Sequence, residues 1–346
     1  MMSSTPTNPE ESQARAALRV ARRVCIKAGT SVVANDDGSP SLTRLGAIVE
    51  QIAELNHAGI EVIFISSGAV GMGKNLLRKQ ARLNMSFKDL HNSKSPALSD
   101  ATPHRGSTSI GDLHTVDENM ETSATKSYAA AGQFELMNLY QSLLSPKGVT
   151  ASQMLLTQAD FADEHHLQNL SYAIERQLTL GIVPIINEND AVSITATDDD
   201  GTPHFTDNDS LAALCARSFG AEVLLLLTDV EGVYDMPPSN PKARLIPYYH
   251  TNSNCAIGEK SSQGRGGMSA KIGAARSAVQ PGSKCAACVI ADGSDLDSIR
   301  SVLYPHYKNK SEPAKGTLFT TPGSDLEKLC LEELVMAVEV SIYGHA

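Results

Sequence analysis

No apolar run in this chain reaches the roughly 20 consecutive residues needed to span a bilayer. Nor does its start, Met1 to Arg23, carry the apolar core of a signal peptide. Arg15, Arg19, Arg22 and Arg23 give that start some transit-peptide character, but Glu10 and Glu11 work against it. Residues 1–22 therefore read as a flexible lead-in, and the expected location is cytoplasmic. An excess of basic charge is also missing. Lys and Arg number 29 against 39 Asp and Glu, for a net charge of −10, which argues against a nucleic-acid partner. Small anionic substrates stay open, because a few lysines and amides can hold a phosphate on an acidic protein. There is no disulfide framework. The six cysteines, at 25, 215, 255, 285, 288 and 330, sit mostly in apolar runs. Cys285-Ala-Ala-Cys288 has a suggestive spacing but no second pair or nearby His, so it reads as strand packing.

Familiar catalytic and metal signatures are absent too. In "DEHH" (Asp163–His166) adjacent histidines on a helix face different ways. "DDDG" (Asp198–Gly201) lacks the alternating ligands of a calcium loop. Ser67 lies in Ser-Ser-Gly-Ala, which is no nucleophile elbow. No internal repeat is visible.

What the chain does contain is a rhythm. Its 346 residues, 41% hydrophobic and 20% charged, suffice for one large α/β domain or two smaller ones. Arg23–Val33 reads as a strand ending in a turn, and Leu42, Leu45, Ile48, Val49, Ile52 and Leu55 follow at helical spacing. Further strands are expected in "EVIFISSG", "VTASQMLLT", "IVPIINEND", "AEVLLLLTD" and "CAACVIADG". Helices are expected near Gly132–Leu144, Leu167–Thr179, Asp209–Ser218 and Met268–Val279. Near-continuous apolar strands alternating with helices predict a mostly parallel sheet covered on both faces. Ligands of such sheets bind beyond the carboxyl ends of the strands. That makes Lys27–Thr30, Ser66–Gly68, Asn187–Asp190 and Thr228–Asp229 neighbours on one rim. Residues 91–127 break the rhythm with Ser, Thr, Asp and His and read as a mobile insertion. The C-terminal Asp325–Val340 fits a helix, a strand, or both in succession.

"ISSGAVGMGKN" (Ile65–Asn75) matches a phosphate-binding P-loop through Gly68, Gly73 and Lys74, yet Asn75 stands where a hydroxyl should meet magnesium. Three other clusters suit phosphoryl transfer. Lys27-Ala28-Gly29-Thr30 offers a cation and accessible amides at a strand end. Gly264–Lys271 opens a helix with glycines, giving an anion site that Lys271 can reach. Asn187–Asp190 and Asp207–Asp209 supply polar groups that fit N-capping or the orientation of an ammonium group. Taken singly, each cluster also fits a solvated turn or a routine helix start. Together they place cations, amides and carboxylates where charge on a transferring phosphoryl group must be met.

With these residues assembled, the chain resembles the glutamate 5-kinases of the amino acid kinase family, including the kinase half of delta-1-pyrroline-5-carboxylate synthases. The resemblance runs from about Val24 to Phe319. It is carried by "SSGAVGMG", "INENDA", "DNDSLAAL", "LTDVEGVY", "RGGMSAK" and "GTLF", with "RLGA" and "PPSNP" in support. It implies an eight-stranded αβα sandwich over a kinase domain at 23–323, followed by an extension at 324–346. It implies phosphorylation of the γ-carboxylate of L-glutamate by ATP with magnesium, a homo-oligomer, and feedback inhibition by proline. On the matching positions Lys27 and Lys271 would meet the phosphoryl group and Asp209 would hold them. Ser67, Gly68, Ala69, Asp190 and Asn208 would bind glutamate. Gly29, Thr30, Thr228, Asp229, Arg265, Gly266, Gly267, Met268 and Ser269 would bind the nucleotide. Magnesium would be carried mainly by ATP phosphates, with no dedicated metal ligands. Sister readings are an acetylglutamate or aspartate kinase, or a non-catalytic sensor of proline or glutamate; a sensor would need neither lysine. The family's PUA and reductase domains are not recognised here, so the reductase is expected on a separate chain. Ala28 stands where the family has a bulkier residue, and Ser127–Gln133 is a looser form of its block.

Overall fold

The computed structural model describes residues 11, 14–15, 18–84, 118–193, 207–250, 267–304 and 315–320. In chain order the described elements begin with a 3₁₀ turn (Leu18–Val20), β1 (Arg23–Ala28), α1 (Thr30–Val33), α2 (Leu42–His57), β2 (Glu61–Ser66) and α3 (Ala69–Asn84). Then come α4 (Glu118–Leu144), β3 (Ala151–Leu156), α5 (Gln158–Ala162), α6 (Glu164–Thr179), β4 (Val183–Glu188) and α7 (Asn208–Ser218). The last are β5 (Val223–Thr228), β6 (Tyr248–His250), α8 (Met268–Ala278), β7 (Ala287–Asp292), α9 (Ser298–Leu303) and β8 (Thr317–Thr320).

The strands form one eight-stranded sheet in the order β3-β4-β2-β1-β5-β7-β8-β6. All pairs are parallel except β7 with β8. The central strands read as unbroken apolar runs because both of their faces are buried. Side chains alternate across a strand. Val24, Ile26 and Ala28 of β1, with Val223, Leu225 and Leu227 of β5, enter one core against α2, α4 and α9. Cys25, Leu224 and Leu226 enter the other, against α6, α7 and α8. The result is the expected αβα sandwich.

The structure changes several expectations. Thr30–Val33 is not strand or simple turn but a one-turn helix, with Val33 N–H donating to Gly29 O at 3.1 Å. Strand β3 is only partly buried because it lies at the sheet edge, where Gln153 and Leu155 face outward. Residues 118–127, placed in the insertion by composition, belong to the 27-residue helix α4. Part of the lead-in is docked rather than loose. Ala14 and Leu18 are buried in the first core, and Arg15 donates to the carbonyls of Pro247 (2.7 Å), Lys315 (3.0 Å) and Gly316 (3.0 Å). Apolar burial, together with three carbonyl acceptors for one guanidinium, ties this segment down. Residues 91–117 and 324–346, and the acidic run at 198–201, lie outside the described residues. Among the described residues no helix is long and apolar enough to cross a membrane.

Candidate active site

The site lies at the carboxyl ends of the central strands. Strand β1 pairs with β2 on one side and β5 on the other, so the chain order diverges there and opens a crevice. Register places Ala28 beside both Ser66 and Leu227. The four strand-end clusters picked out in the sequence therefore share one rim.

Lys27 is the penultimate residue of β1, on the face covered by α7 and α8, and is only 4% exposed. An ammonium buried this deeply needs a partner. Asp209, 2% exposed in the first turn of α7, supplies it: Lys27 Nζ lies 2.6 Å from Asp209 Oδ1. The second carboxylate oxygen is held by Lys271 Nζ at 2.7 Å, from the start of α8. Two lysines on one carboxylate leave these three groups with one net positive charge in a dry setting. Burial pulls the Lys27 ammonium below its ordinary value; Asp209 opposes that shift and Lys271 adds to it. Burial pushes the Asp209 carboxyl upward, but the two lysines prevail and hold it below the usual carboxylate range.

Local sequence explains why Asp209 points inward. Asp207 caps α7, its Oδ1 accepting from the N–H groups of Asp209 (3.0 Å) and Ser210 (2.8 Å), while Ser210 Oγ accepts from Asp207 N–H at 3.2 Å. This reciprocal cap sets where the helix begins. Helix α8 starts at Gly267, which contributes no side-chain cap. Gly29 follows β1, and a Cβ there would stand 3.5 Å from Lys27 Nζ.

Beside this charged group runs a chain of neutral side chains. Asn208 Nδ2 donates to Ser67 Oγ and to Asn187 Oδ1, both at 2.9 Å, and Asn187 Nδ2 donates to Gln133 Oε1 at 2.7 Å. Asn208 Oδ1 is buried and has no hydrogen-bond partner among the described residues. Behind the chain, Ser66 Oγ donates to Ser67 O (3.0 Å) and lies 2.7 Å from the Tyr140 hydroxyl. Gly68 makes the turn out of β2 at φ 108°, and a Cβ there would come within 2.6 Å of Val33 Cγ2. Ala69 is buried at the start of α3.

The remaining candidate residues sit around this pair of features. Asp190 is half-buried in the turn after β4. Thr228 is buried at the end of β5, where its hydroxyl donates to Asp229 Oδ1 at 3.0 Å, and Asp229 is exposed. Thr30 and Ser269 are exposed, and Met268 is half-buried. Arg265 and Gly266 lie outside the described residues.

One residue of the neutral chain has no individual signal in the sequence. Asn187 belongs to the polar cluster at the end of β4, whereas Gln133 reads only as part of a loosely matching block. Gln133 and Tyr140 stand seven apart on α4, two turns of one helix face. That spacing was the available signal.

The P-loop pattern also resolves. Its glycine at 73 sits inside α3, where an added Cβ would lie 1.8 Å from Tyr128 O; on α4, a Cβ at Gly132 would lie 1.8 Å from Ala69 O. These glycines let two helix backbones touch, a packing role and not a phosphate cradle. Lys74 is half-buried on α3. Cys25, Cys215, Cys285 and Cys288 are buried free thiols, and burial pushes that of Cys285 up to about 12. His165 and His166 are exposed. Among the described residues no three His, Cys, Asp or Glu side chains are grouped to hold a metal ion.

The chain is similar to known proteins along most of its length. The model of the amino acid kinase family matches residues 22–292. Delta-1-pyrroline-5-carboxylate synthase 2 of Oryza sativa subsp. japonica is 39% identical over 293 residues, covering 84% of this chain and 36% of that protein. The chain thus spans little more than a third of the length of the synthases it matches. A glutamate 5-kinase of Symbiobacterium thermophilum is 32% identical over 313 residues, covering 89% of this chain and 100% of that protein. Among solved structures, the isopentenyl phosphate kinase product complex of T. acidophilum shares the fold at a TM-score of 0.50 and 16% identity, covering 86% of this chain and 99% of that one. The match to the family model over most of the sheet, together with a relative aligned along its whole length, shows that this chain belongs to the amino acid kinase family.

Proposed function

We propose that the protein transfers the γ-phosphoryl group of ATP to the γ-carboxylate of L-glutamate, giving L-glutamyl 5-phosphate and ADP, the first step of proline synthesis. The observation that carries this reading is the convergence of Lys27 and Lys271 on Asp209, 2.6 and 2.7 Å from its two oxygens. Phosphoryl transfer asks little covalent chemistry of a protein. A carboxylate oxygen bonds to the γ-phosphorus as the bond to the β,γ-bridging oxygen breaks, and the charge spread over the group must be met by cations already in place. In this reading both ammonium groups serve that purpose, and Asp209 keeps them from repelling each other apart.

The neutral chain supports an amino acid as acceptor. The unpartnered Asn208 Oδ1 is suited to accept from the substrate's α-ammonium group, with Ser67, Gly68, Ala69 and Asp190 completing the acceptor side. The nucleotide would occupy the opposite side, against Gly29, Thr30, Thr228, Asp229 and the residues from Arg265 to Ser269. Magnesium would be held through the nucleotide phosphates, since both Asp209 oxygens are taken by lysines. Bound there, it would supply further charge neutralisation on the phosphates. The choice of glutamate rests on the glutamate 5-kinase and synthase relatives. Proline inhibition, a homo-oligomer, a cytoplasmic location and a separate reductase to consume the product belong to the same reading, as does a kinase domain at 23–323.

A hydroxamate assay with ATP and magnesium tests the proposal. Product with glutamate is expected; product only with acetylglutamate or aspartate would assign a sister activity, and no nucleotide-dependent product with any of them would reject a kinase.

A further inference from the structure

Gln133 is 7% exposed on α4, and among the described residues its side chain makes one hydrogen bond, with Oε1 accepting from Asn187 Nδ2 at 2.7 Å. Its place is set from both sides. The preceding Gly132 rests against the backbone of α3 at Ala69, and two turns on, the Tyr140 hydroxyl meets Ser66 Oγ. Helix α4 thus cannot slide to bring a different residue to Asn187 without breaking a backbone contact and a buried hydroxyl pair.

The chain from Gln133 through Asn187 to Asn208 has a direction. Gln133 Oε1 accepts from Asn187 Nδ2, Asn187 Oδ1 accepts from Asn208 Nδ2, and Asn208 is left with its carbonyl oxygen free. Turning the Asn187 amide would make it donate to Asn208. Asn208 would then turn as well and present Nδ2 where Oδ1 now stands. That reversal exchanges an acceptor for a donor at the point an amino acid's ammonium group would occupy. We propose that Gln133 is a positioning residue for the amino-acid substrate: its acceptor oxygen sets the sense of the Asn187–Asn208 amide chain and so keeps Asn208 Oδ1 turned toward the substrate's ammonium group. The inference rests on the acceptor reading given above. It adds that a residue with no place at the reacting atoms governs affinity for one substrate only.

The test uses the full chain and steady-state kinetics with each substrate varied in turn. Gln133→Leu removes the acceptor. An orphaned buried N–H is worse tolerated than an orphaned carbonyl, so Asn187 turns and the KM for glutamate rises about tenfold. The KM for ATP and kcat each stay within about twofold of the unaltered protein. Gln133→Glu offers an acceptor oxygen in either protonation state and restores the glutamate KM to within about threefold. A glutamate KM unchanged in Q133L overturns the inference. So does an equal rise for both substrates that Q133E fails to repair, since that is the mark of a packing role. Should Q133L not fold, Gln133→Asn, too short to reach Asn187, replaces it; equal glutamate KM in Q133N and Q133E overturns the inference. Absence of glutamate-dependent turnover in the unaltered protein is a different result, which rejects the acceptor reading itself.

Discussion

Asn208 and Asp209 are consecutive, yet they belong to two chemically opposite halves of the site. Asp209 faces a charged group, with two ammonium ions on its two oxygens. Asn208 faces a neutral one built from Ser67, Asn187 and Gln133. The first half supplies electrostatic potential, which acts over distance and tolerates small changes of geometry. The second supplies direction, because an amide either donates or accepts at a given point. One capped helix start delivers both, and a shift of α7 by one residue would put Asn208 in the place of Asp209.

Removing charge should break the first half most severely. Lys271→Met should lower kcat about a thousandfold with little change in the KM for glutamate, measured by ADP release at saturating substrates. Turnover equal to that of the unaltered protein would remove Lys271 from the reaction. The same half should respond to alkali. In the proposed reaction Lys27 acts as a cation, and its folded pKa is lowered from 10.5, so kcat/KM should fall with rising pH in a limb that begins below 10.5. Lys27→Arg should move that limb upward whatever its effect on rate. In stability the sign for Lys27 is unfavourable while both folded and unfolded chains are protonated, and the cost is relieved as pH rises past its lowered value. Asp209 works the other way. Its depressed folded pKa adds stability above the ordinary carboxylate range, and that stability is lost as pH falls through the folded value.

The neutral half depends on how close α4 comes. Gly132→Ala drives a methyl into the Ala69 carbonyl, so unfolding should show a loss of about 1–3 kcal/mol. Glutamate affinity should fall more than ATP affinity, because Gln133 moves with the helix. The smallest effect is expected at Lys74. Lys74→Ala should leave kcat within about twofold and stability within about 0.5 kcal/mol, whereas a P-loop lysine would not be dispensable.

How legible this was depends on the range of each interaction. Lys27, Ser67, Asn187 and Thr228 could be placed on one rim because apolar strands end there, and parallel strands put their carboxyl ends together. Lys271 could be placed at a helix start because glycines precede it. The role of Gly73 could not be found, since the atoms it makes room for belong to Tyr128 and Gly132 on another helix. Arg15 gave no sign of docking, because its acceptors are carbonyls of residues 247, 315 and 316. Residues 118–127 read as insertion because α4 as a whole is weakly amphipathic, and such a helix is held by its neighbours more than by its own pattern.

The order of the six longer strands, the two-faced burial of the central ones and the chemical types at their ends were determined by the sequence alone, because side-chain period and turn chemistry act over a few residues. That Lys27 and Lys271 meet on one carboxylate, and that Gln133 reaches the neighbouring amide chain, was decided only by tertiary structure. Both depend on which strands lie side by side and how closely two helices approach, and those are contacts between parts of the chain with no local means of signalling one another.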